Sequence, residues 1–203
     1  MSDCCQNKGC ELEKLQKQQS HVLWIVLVIN AVMFFVEFSA GLWANSLSLT
    51  GDSLDMLGDA LVYGTSLYVI TRGRKAQAKT ALLKSGIMFL SAIAVFARAF
   101  YQLWAGVVPE VKLMSLVGVL VLVANLTCLF LLSRHREDNL NMSSVWLCSR
   151  NDIIANVSVL IAAGIVAFTH SLIPDLVVGL LITFVFAKSA SKVLSQSLRE
   201  LNA

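Results

Sequence analysis

The sequence predicts an all-α membrane protein with six transmembrane helices and with both termini in the cytoplasm. Hydrophobic residues make up 57% of the 203 residues and charged residues only 14%, whereas soluble domains are about a quarter charged. The apolar residues fall into six runs, each near the ~20 residues that a helix needs to cross a bilayer. The basic residues cluster between these runs, which indicates the orientation.

The six apolar runs divide the chain into a membrane domain and two polar tails. The predicted spans cover residues 22–43, 47–70, 85–104, 113–133, 142–168 and 172–187. We therefore expect a cytoplasmic tail at 1–20, a six-helix transmembrane domain at 21–190 and a short cytoplasmic tail at 191–203. We expect no cleavable signal peptide, because the N-terminus stays polar for about twenty residues.

The first three spans differ in their polar content. The first contains Asn30 and Glu37, which we expect to form structural contacts between helices, and it ends at Trp43 in an interface. The second carries three aspartates. The third contains Arg98, which we expect near an acidic group, and it is rich in small residues that favour close contact between helices: Ala92, Ala94, Ala97 and Ala99.

The distribution of lysine and arginine predicts which side faces the cytoplasm. Basic residues are concentrated in the N-terminal tail, in loops 72–84 and 134–138, and in the C-terminal tail, whereas the opposite side holds Lys112 alone. Cytoplasmic loops carry the excess of basic residues. Both termini are therefore expected in the cytoplasm, in agreement with an even number of spans.

Two polar pairs lie within the second and fifth spans. Asp55 and Asp59 are four residues apart, so a helix places them on one face, and Cys148 and Asp152 repeat that spacing. At 1.5 Å per residue, the first pair lies about 12–18 Å from the outer end of its span and the second about 9–15 Å from the inner end. Both pairs therefore fall near the middle of a hydrocarbon core about 30 Å thick.

These four side chains predict a metal site between two helices. An intramembrane carboxylate costs about 3 kcal/mol or more, so it persists where it pairs, faces water or holds a cation. Tetrahedral N, S and O ligands suit Zn²⁺, the sulfur of Cys148 also suits Cd²⁺, and Mg²⁺ and Ca²⁺ prefer all-oxygen shells. Considered without the other residues, Cys148 would simply act as a small hydrophobic side chain. The aspartates by themselves could form a Na⁺ site or a proton relay. The two pairs together favour the metal site.

Further residues are candidates for accessory roles in metal binding. Asp52 lies one turn from Asp55 toward the outer side, where it would line an exit path or contact a ligand. The tail cysteines, Cys4, Cys5 and Cys10, form either a disordered segment with reduced thiols or a soft-metal catch that loads the membrane site. An odd total of five cysteines does not suggest a secreted disulfide scaffold.

Several classes of function are excluded by missing patterns. The sequence has no Gly-rich phosphate loop, no HExxH and no nucleophile elbow, so we expect no enzyme and no prosthetic group. The basic clusters flank apolar spans and lack interleaved aromatic residues, so we expect no nucleic-acid partner.

Four segments of the chain match a known family: Asn30 through Glu37 to Gly41, then residues 45–59, 148–163 and 174–182. Over about residues 23–201 the chain resembles the cation diffusion facilitators, which are proton-coupled metal efflux proteins. In that family a His or Asp, followed four residues later by Asp, lies on the second helix, and the arrangement recurs on the fifth. The resemblance implies Asp55, Asp59, Cys148 and Asp152 as the metal ligands.

The chain departs from the family pattern in three ways. Zinc-specific members commonly have His where Asp55 and Cys148 stand, which favours Zn²⁺ and Cd²⁺ together. A shift of one turn in the fifth helix would pair Asp152 with Asn156 instead, but Asn offers only a neutral oxygen. Most members carry a cytoplasmic ferredoxin-like domain after the sixth helix, and we expect a short form without it.

Members of the family are typically homodimers. The third helix, which is rich in small residues, is therefore the candidate dimer surface.

The resemblance and the site imply a proton-coupled antiporter that exports Zn²⁺ or Cd²⁺ from the cytoplasm across a bacterial inner membrane. Metal binding deprotonates a thiol, so metal and protons compete for the site. We expect Cys148 and one buried aspartate to carry the exchanged protons. The alternatives are a metal-binding sensor or assembly subunit that moves no ions, and a channel or proton-relay component.

Overall fold

Six α-helices make up the part of the chain that the computed structural model describes, which is the backbone of residues 3–69, 74–134 and 140–202. Side chains are described for most of residues 21–64, 85–134 and 146–195. No strand occurs within the described backbone. The all-α prediction is confirmed by the following helices: α1 (Asp3–Trp43), α2 (Leu47–Val69), α3 (Arg74–Ala105), α4 (Val111–Ser133), α5 (Leu140–Thr169) and α6 (Ile173–Asn202).

Five of the described helices are long and apolar enough to cross a bilayer. The apolar stretches are His21–Trp43, Ser85–Ala105, Val111–Ser133, Ser149–Thr169 and Ile173–Ser191. Helix α2 has the length of a span, at 23 residues, but its three aspartates lower its hydropathy. Because α2 packs against α1, α3, α5 and α6, it completes the predicted six-helix membrane bundle. Large apolar side chains such as Phe35, Leu116 and Phe168 point outward, as lipid-facing residues do.

Three helices continue well beyond their apolar stretches. Helix α1 begins at Asp3, α3 begins at Arg74, and α6 runs to Asn202. The added residues are polar but include many Glu, Gln, Lys and Leu, which are good helix formers. A helix that already crosses the membrane can extend into water without a new nucleation step. Hydropathy alone marks where a span leaves the bilayer, not where the helix ends.

Helix α2 occupies the centre of the bundle, in contact with α1, α3, α5 and α6. Helix α4 packs against α1 and α5, and α3 packs against α6. One buried cluster joins α1, α2, α4 and α5 around Met33, Leu49 and Val159. A second joins α2, α3 and α6 around Leu54 and Phe186. The acidic helix is therefore enclosed by apolar neighbours on several sides.

The turn between α1 and α2 is tight and fixes how the two helices meet. Asn45 adopts a left-handed conformation with φ of 51°, which Asn tolerates better than most residues. Ser46 then caps α2, because its Oγ accepts a hydrogen bond from the Leu49 N–H at 3.2 Å. A Cβ on Gly41 would lie 2.9 Å from the Thr50 backbone nitrogen, so glycine permits this close approach.

Candidate metal centre

Carboxylates from α2 and α5 line one cavity between the helices, which is open on one side. The cavity has a volume of about 500 Å³, and Asp55, Asp59 and Asp152 all reach its wall. The rest of the wall includes Gly58 of α2, polar residues of α5 and α6 such as Asn151 and Ser189, and apolar residues from α3, α5 and α6. Three of the four predicted ligands therefore face the same space, although they come from segments almost a hundred residues apart.

Asp59 makes specific contacts within this cavity. Its carboxyl group lies near that of Asp152 across the α2–α5 interface. The Tyr63 hydroxyl, one turn further along α2, donates a hydrogen bond to Asp59 Oδ2 at 2.7 Å. Tyr63 is itself buried, so its hydroxyl has little freedom to leave. Asp59 is thus held in a defined orientation by a neighbour on its own helix.

The fourth predicted ligand, Cys148, lies on α5, but its side chain is outside the described residues. The same holds for the side chains of Cys4, Cys5 and Cys10 on α1. Among the described side chains, no group of three or more His, Cys, Asp or Glu is gathered tightly enough to enclose a metal ion. The three carboxylates share a cavity without closing around one point.

Asn156 turns away from that cavity and joins a buried polar chain instead. Its Nδ2 donates a hydrogen bond to Asp52 Oδ2 at 2.6 Å, and its Oδ1 accepts one from Asn125 Nδ2 on α4 at 2.8 Å. Asp52, two percent exposed, also lies against the Glu37 carboxyl group. Asp52 therefore contacts Asn156 and Glu37 rather than lining the cavity with Asp55.

Asp175, at the start of α6, is the polar residue that the sequence analysis missed. Its Oδ1 accepts hydrogen bonds from Ser46 Oγ at 2.7 Å, Ser48 N at 3.0 Å and Ser48 Oγ at 2.6 Å. Its Oδ2 accepts hydrogen bonds from Leu47 N at 2.7 Å and Gln102 Nε2 at 3.2 Å. A carboxylate at the N-terminus of a helix satisfies the free N–H groups and matches the helix dipole. Asp175 thereby fixes the outer end of α2.

Other polar residues of the spans play structural parts. Asn30 donates hydrogen bonds to Val26 O at 2.9 Å and weakly to Cys128 Sγ of α4 at 3.9 Å, as expected of a contact between helices. The Arg98 guanidinium donates to the Gly41 and Leu42 carbonyls at 3.1 and 3.3 Å, and it lies near the acidic group of Asp175, as expected. Those carbonyls lie in the last turn of α1, where a cation is favourable.

The small residues of α3 are divided between two environments. Ala92 and Ala99 are buried against α2 and α6 in the second core cluster, whereas Ala94 and Ala97 are on the outward face. Half of the small residues proposed as a dimer surface therefore serve packing within the chain. The outward pair remains available for a helix of another molecule.

Comparison with known proteins identifies the family of the chain. Residues 23–202 match the sequence model of the cation efflux transmembrane domain. The chain is 26% identical over 191 residues to the metal cation efflux system protein CzcD of Cupriavidus metallidurans, covering 85% of this chain and 60% of that protein. It is 28% identical over 196 residues to the zinc transporter ZitB of Pectobacterium atrosepticum, covering 88% and 60%.

A further relative is the zinc transporter ZitB of Escherichia coli, at 26% identity over 186 residues, covering 85% of this chain and 59% of that protein. The chain thus spans about 60% of the length of the curated relatives that it matches. The apolar helices and the bacterial relatives support a multi-pass protein of the bacterial inner membrane. Because the family match covers most of the sequence, the chain belongs to the cation efflux family, the cation diffusion facilitators.

Proposed function

We propose that this protein is a proton-coupled antiporter that exports Zn²⁺, Cd²⁺ or both from the cytoplasm. The observation that carries the proposal is the meeting of Asp55, Asp59 and Asp152 in one cavity of a membrane bundle. Grouping three carboxylates inside a bilayer is costly unless a cation is held there. The names of the relatives, a metal cation efflux protein and zinc transporters, support the same class of cargo.

The proposed ligand set is Asp55, Asp59, Cys148 and Asp152. Two carboxylates from α2 and one from α5 supply oxygen, and Cys148 would add a sulfur that favours Zn²⁺ or Cd²⁺ over Mg²⁺. Asp152 is preferred to Asn156 as a ligand because the Asn156 amide is already engaged by Asp52 and Asn125. The set combines two helices whose relative movement would open the cavity to one side or the other.

Proton coupling follows from the chemistry of these ligands. A thiol must lose its proton to bind a metal, and carboxylates bind as anions, so metal entry releases protons. At the more acidic outer side, protons compete for the same groups and displace the metal. We propose Cys148 and one of the aspartates as the carriers of the exchanged protons. No additional proton pathway is required if one site alternates between the two sides.

The test is metal-driven proton movement in proteoliposomes that contain the full chain. Addition of Zn²⁺ or Cd²⁺ should move protons in the wild type, and Asp59→Ala should abolish the signal. Cys148→Ser should reduce transport of Cd²⁺ more than that of Zn²⁺, because sulfur is the softer ligand. Asn151→Ala is the matched control, since Asn151 lines the same cavity without a charge.

The alternative function is a metal-binding sensor or assembly subunit built on the same bundle. That function predicts metal binding that depends on Asp59, with no proton or metal flux in the proteoliposomes. Flux in both directions without dependence on pH would instead indicate a channel.

We also propose a homodimer formed through the transmembrane helices, with the outward face of α3, at Ala94 and Ala97, as the contact.

A further inference from the structure

A second pair of carboxyl groups lies in the bundle, apart from the cavity. Glu37 of α1 and Asp52 of α2 have exposed fractions of 0% and 2%, and their carboxyl groups are in contact. Among the described residues, neither oxygen of Glu37 accepts a hydrogen bond, and neither does Asp52 Oδ1. Three carboxylate oxygens therefore lie in a dry position that no donor from outside the pair reaches, and the two carboxyl groups contact only each other there.

The orientation of Asp52 in this pair is fixed from the opposite side. Asn156 Nδ2 donates to Asp52 Oδ2 at 2.6 Å, and Asn125 Nδ2 holds the Asn156 oxygen at 2.8 Å. The chain of amides uses one oxygen of Asp52 and leaves the other directed toward Glu37. Such support of a carboxylate by neighbouring side chains is common at metal sites.

The charge balance around Glu37 requires a positive partner, which is either a proton shared by the two carboxyl groups or a cation. The charged groups that act on Glu37 are Asp52, Asp55 and Asp152, all of them acidic. Two ionised carboxylates in contact repel each other, and each loses its hydration on burial. A buried charge is tolerated when it is paired or when it coordinates a metal. A cation between the two groups would satisfy the three free oxygens at once.

We propose that Glu37 and Asp52 form a second binding position for the transported divalent metal, on the outer side of the main site. This proposal rests on the antiporter function proposed above. Asp52 precedes Asp55 by one turn, which is a rise of about 4.5 Å toward the outer end of α2. An ion that leaves Asp55 in that direction meets the Glu37–Asp52 pair next. Its all-oxygen ligands hold Zn²⁺ or Cd²⁺ less tightly than a site with a thiolate, which favours release to the outside.

The experiment uses the purified full chain in detergent with ¹¹³Cd²⁺ as the probe. Equilibrium dialysis gives the number of ions bound, and ¹¹³Cd NMR separates a sulfur-containing site from an all-oxygen site by chemical shift. In a background that carries Cys4→Ser, Cys5→Ser and Cys10→Ser, so that no tail thiol binds Cd²⁺, we expect about two ions per chain and two resonances for the otherwise wild-type protein. Glu37→Gln should remove the all-oxygen resonance and about one ion, and it should leave the sulfur-containing resonance in place. Asp52→Asn should have the same effect from the other side of the pair.

The remaining variants separate the possible outcomes. Glu110→Gln, in the exposed outer loop, is the matched control and should keep both resonances. Asp59→Asn should remove the sulfur-containing resonance only. Two ions in both Glu37→Gln and Asp52→Asn would overturn the second site and leave the antiporter intact. A single bound ion in the wild type would also overturn the second site. If Glu37→Gln then also moves fewer protons in the proteoliposomes, the pair holds a proton instead of a metal.

Discussion

Tyr63 sets the orientation of the carboxylate on which the proposed transport depends. Its hydroxyl donates to Asp59 Oδ2 at 2.7 Å from a position that is 1% exposed. Residues that orient a metal ligand typically change metal affinity by about 10- to 100-fold when they are replaced. We therefore expect Tyr63→Phe to weaken Zn²⁺ binding by about 10-fold, as measured by equilibrium dialysis of the purified chain.

A matched control is available on α3. Tyr101 is 66% exposed, so Tyr101→Phe removes the same hydroxyl from a position that faces outward. It should leave the affinity for Zn²⁺ unchanged. Equal affinity in Tyr63→Phe and the wild type would show that the hydrogen bond to Asp59 has no part in binding.

Individual residues also show what the sequence could and could not predict. Helical spacing and depth, which are local properties, predict Asp55, Asp59 and Asp152 at matching depth, whereas their lining of one cavity also depends on how α2 faces α5. The contact of Glu37 with Asp52 was not predicted, because it depends on how α1 rotates against α2. The hydrogen bonds of Asp175 with Ser46 and Ser48 span well over a hundred residues, and no local pattern encodes such a pairing.

At the scale of helices, the position of α2 depends on a close approach of backbones. A Cβ on Gly179 of α6 would lie 2.6 Å from the Leu47 carbonyl carbon and 2.7 Å from Ser48 N. These are backbone atoms at the start of α2, in the turn that Asp175 caps. Because backbone cannot rotate aside as a side chain can, a methyl group here must separate the two helices.

We expect Gly179→Ala to destabilise the bundle by about 1–3 kcal/mol, the usual cost of an added methyl group in a tightly packed region. The readout is thermal unfolding of the purified chain in detergent. Gly164→Ala on α5 is the matched control, because a Cβ there meets no atom within 4 Å. Alanine at position 164 should stabilise α5 or leave its stability unchanged. An unchanged midpoint in Gly179→Ala would show that α2 and α6 separate without cost.

The lengths of the helices show a second limit of what can be predicted from the sequence. The centres of all six were predicted from apolar runs, but α1 begins at Asp3 and α6 ends at Asn202, well outside those runs. Hydropathy measures the fit to lipid, whereas helix continuation in water depends on propensity and on an existing helical end. The ends of membrane helices are therefore less predictable than their centres.

For the whole molecule, a bound ion would act as a link between two halves of the bundle. Asp55 and Asp59 belong to α2, and Asp152 belongs to α5, and the two helices meet across the cavity. Metal that binds the folded chain but not the unfolded chain stabilises it by RT ln(1 + [L]/Kd), about 2.7 kcal/mol at a hundredfold excess over Kd. Zn²⁺ should therefore raise the unfolding temperature of the purified protein by several degrees.

The ligand set predicts which changes remove this stabilisation. Asp152→Asn takes away the carboxylate on the α5 side, so it should lose most of the Zn²⁺-dependent rise. Asn151→Ala should keep the rise, because Asn151 lines the cavity without a charge. Mg²⁺ should raise the unfolding temperature of the wild type less than Zn²⁺ does, since it prefers an all-oxygen octahedral shell and the proposed α2–α5 site includes the Cys148 thiolate. An equal rise in the wild type and in Asp152→Asn would mean that the ion binds elsewhere and that α2 and α5 are not joined through it.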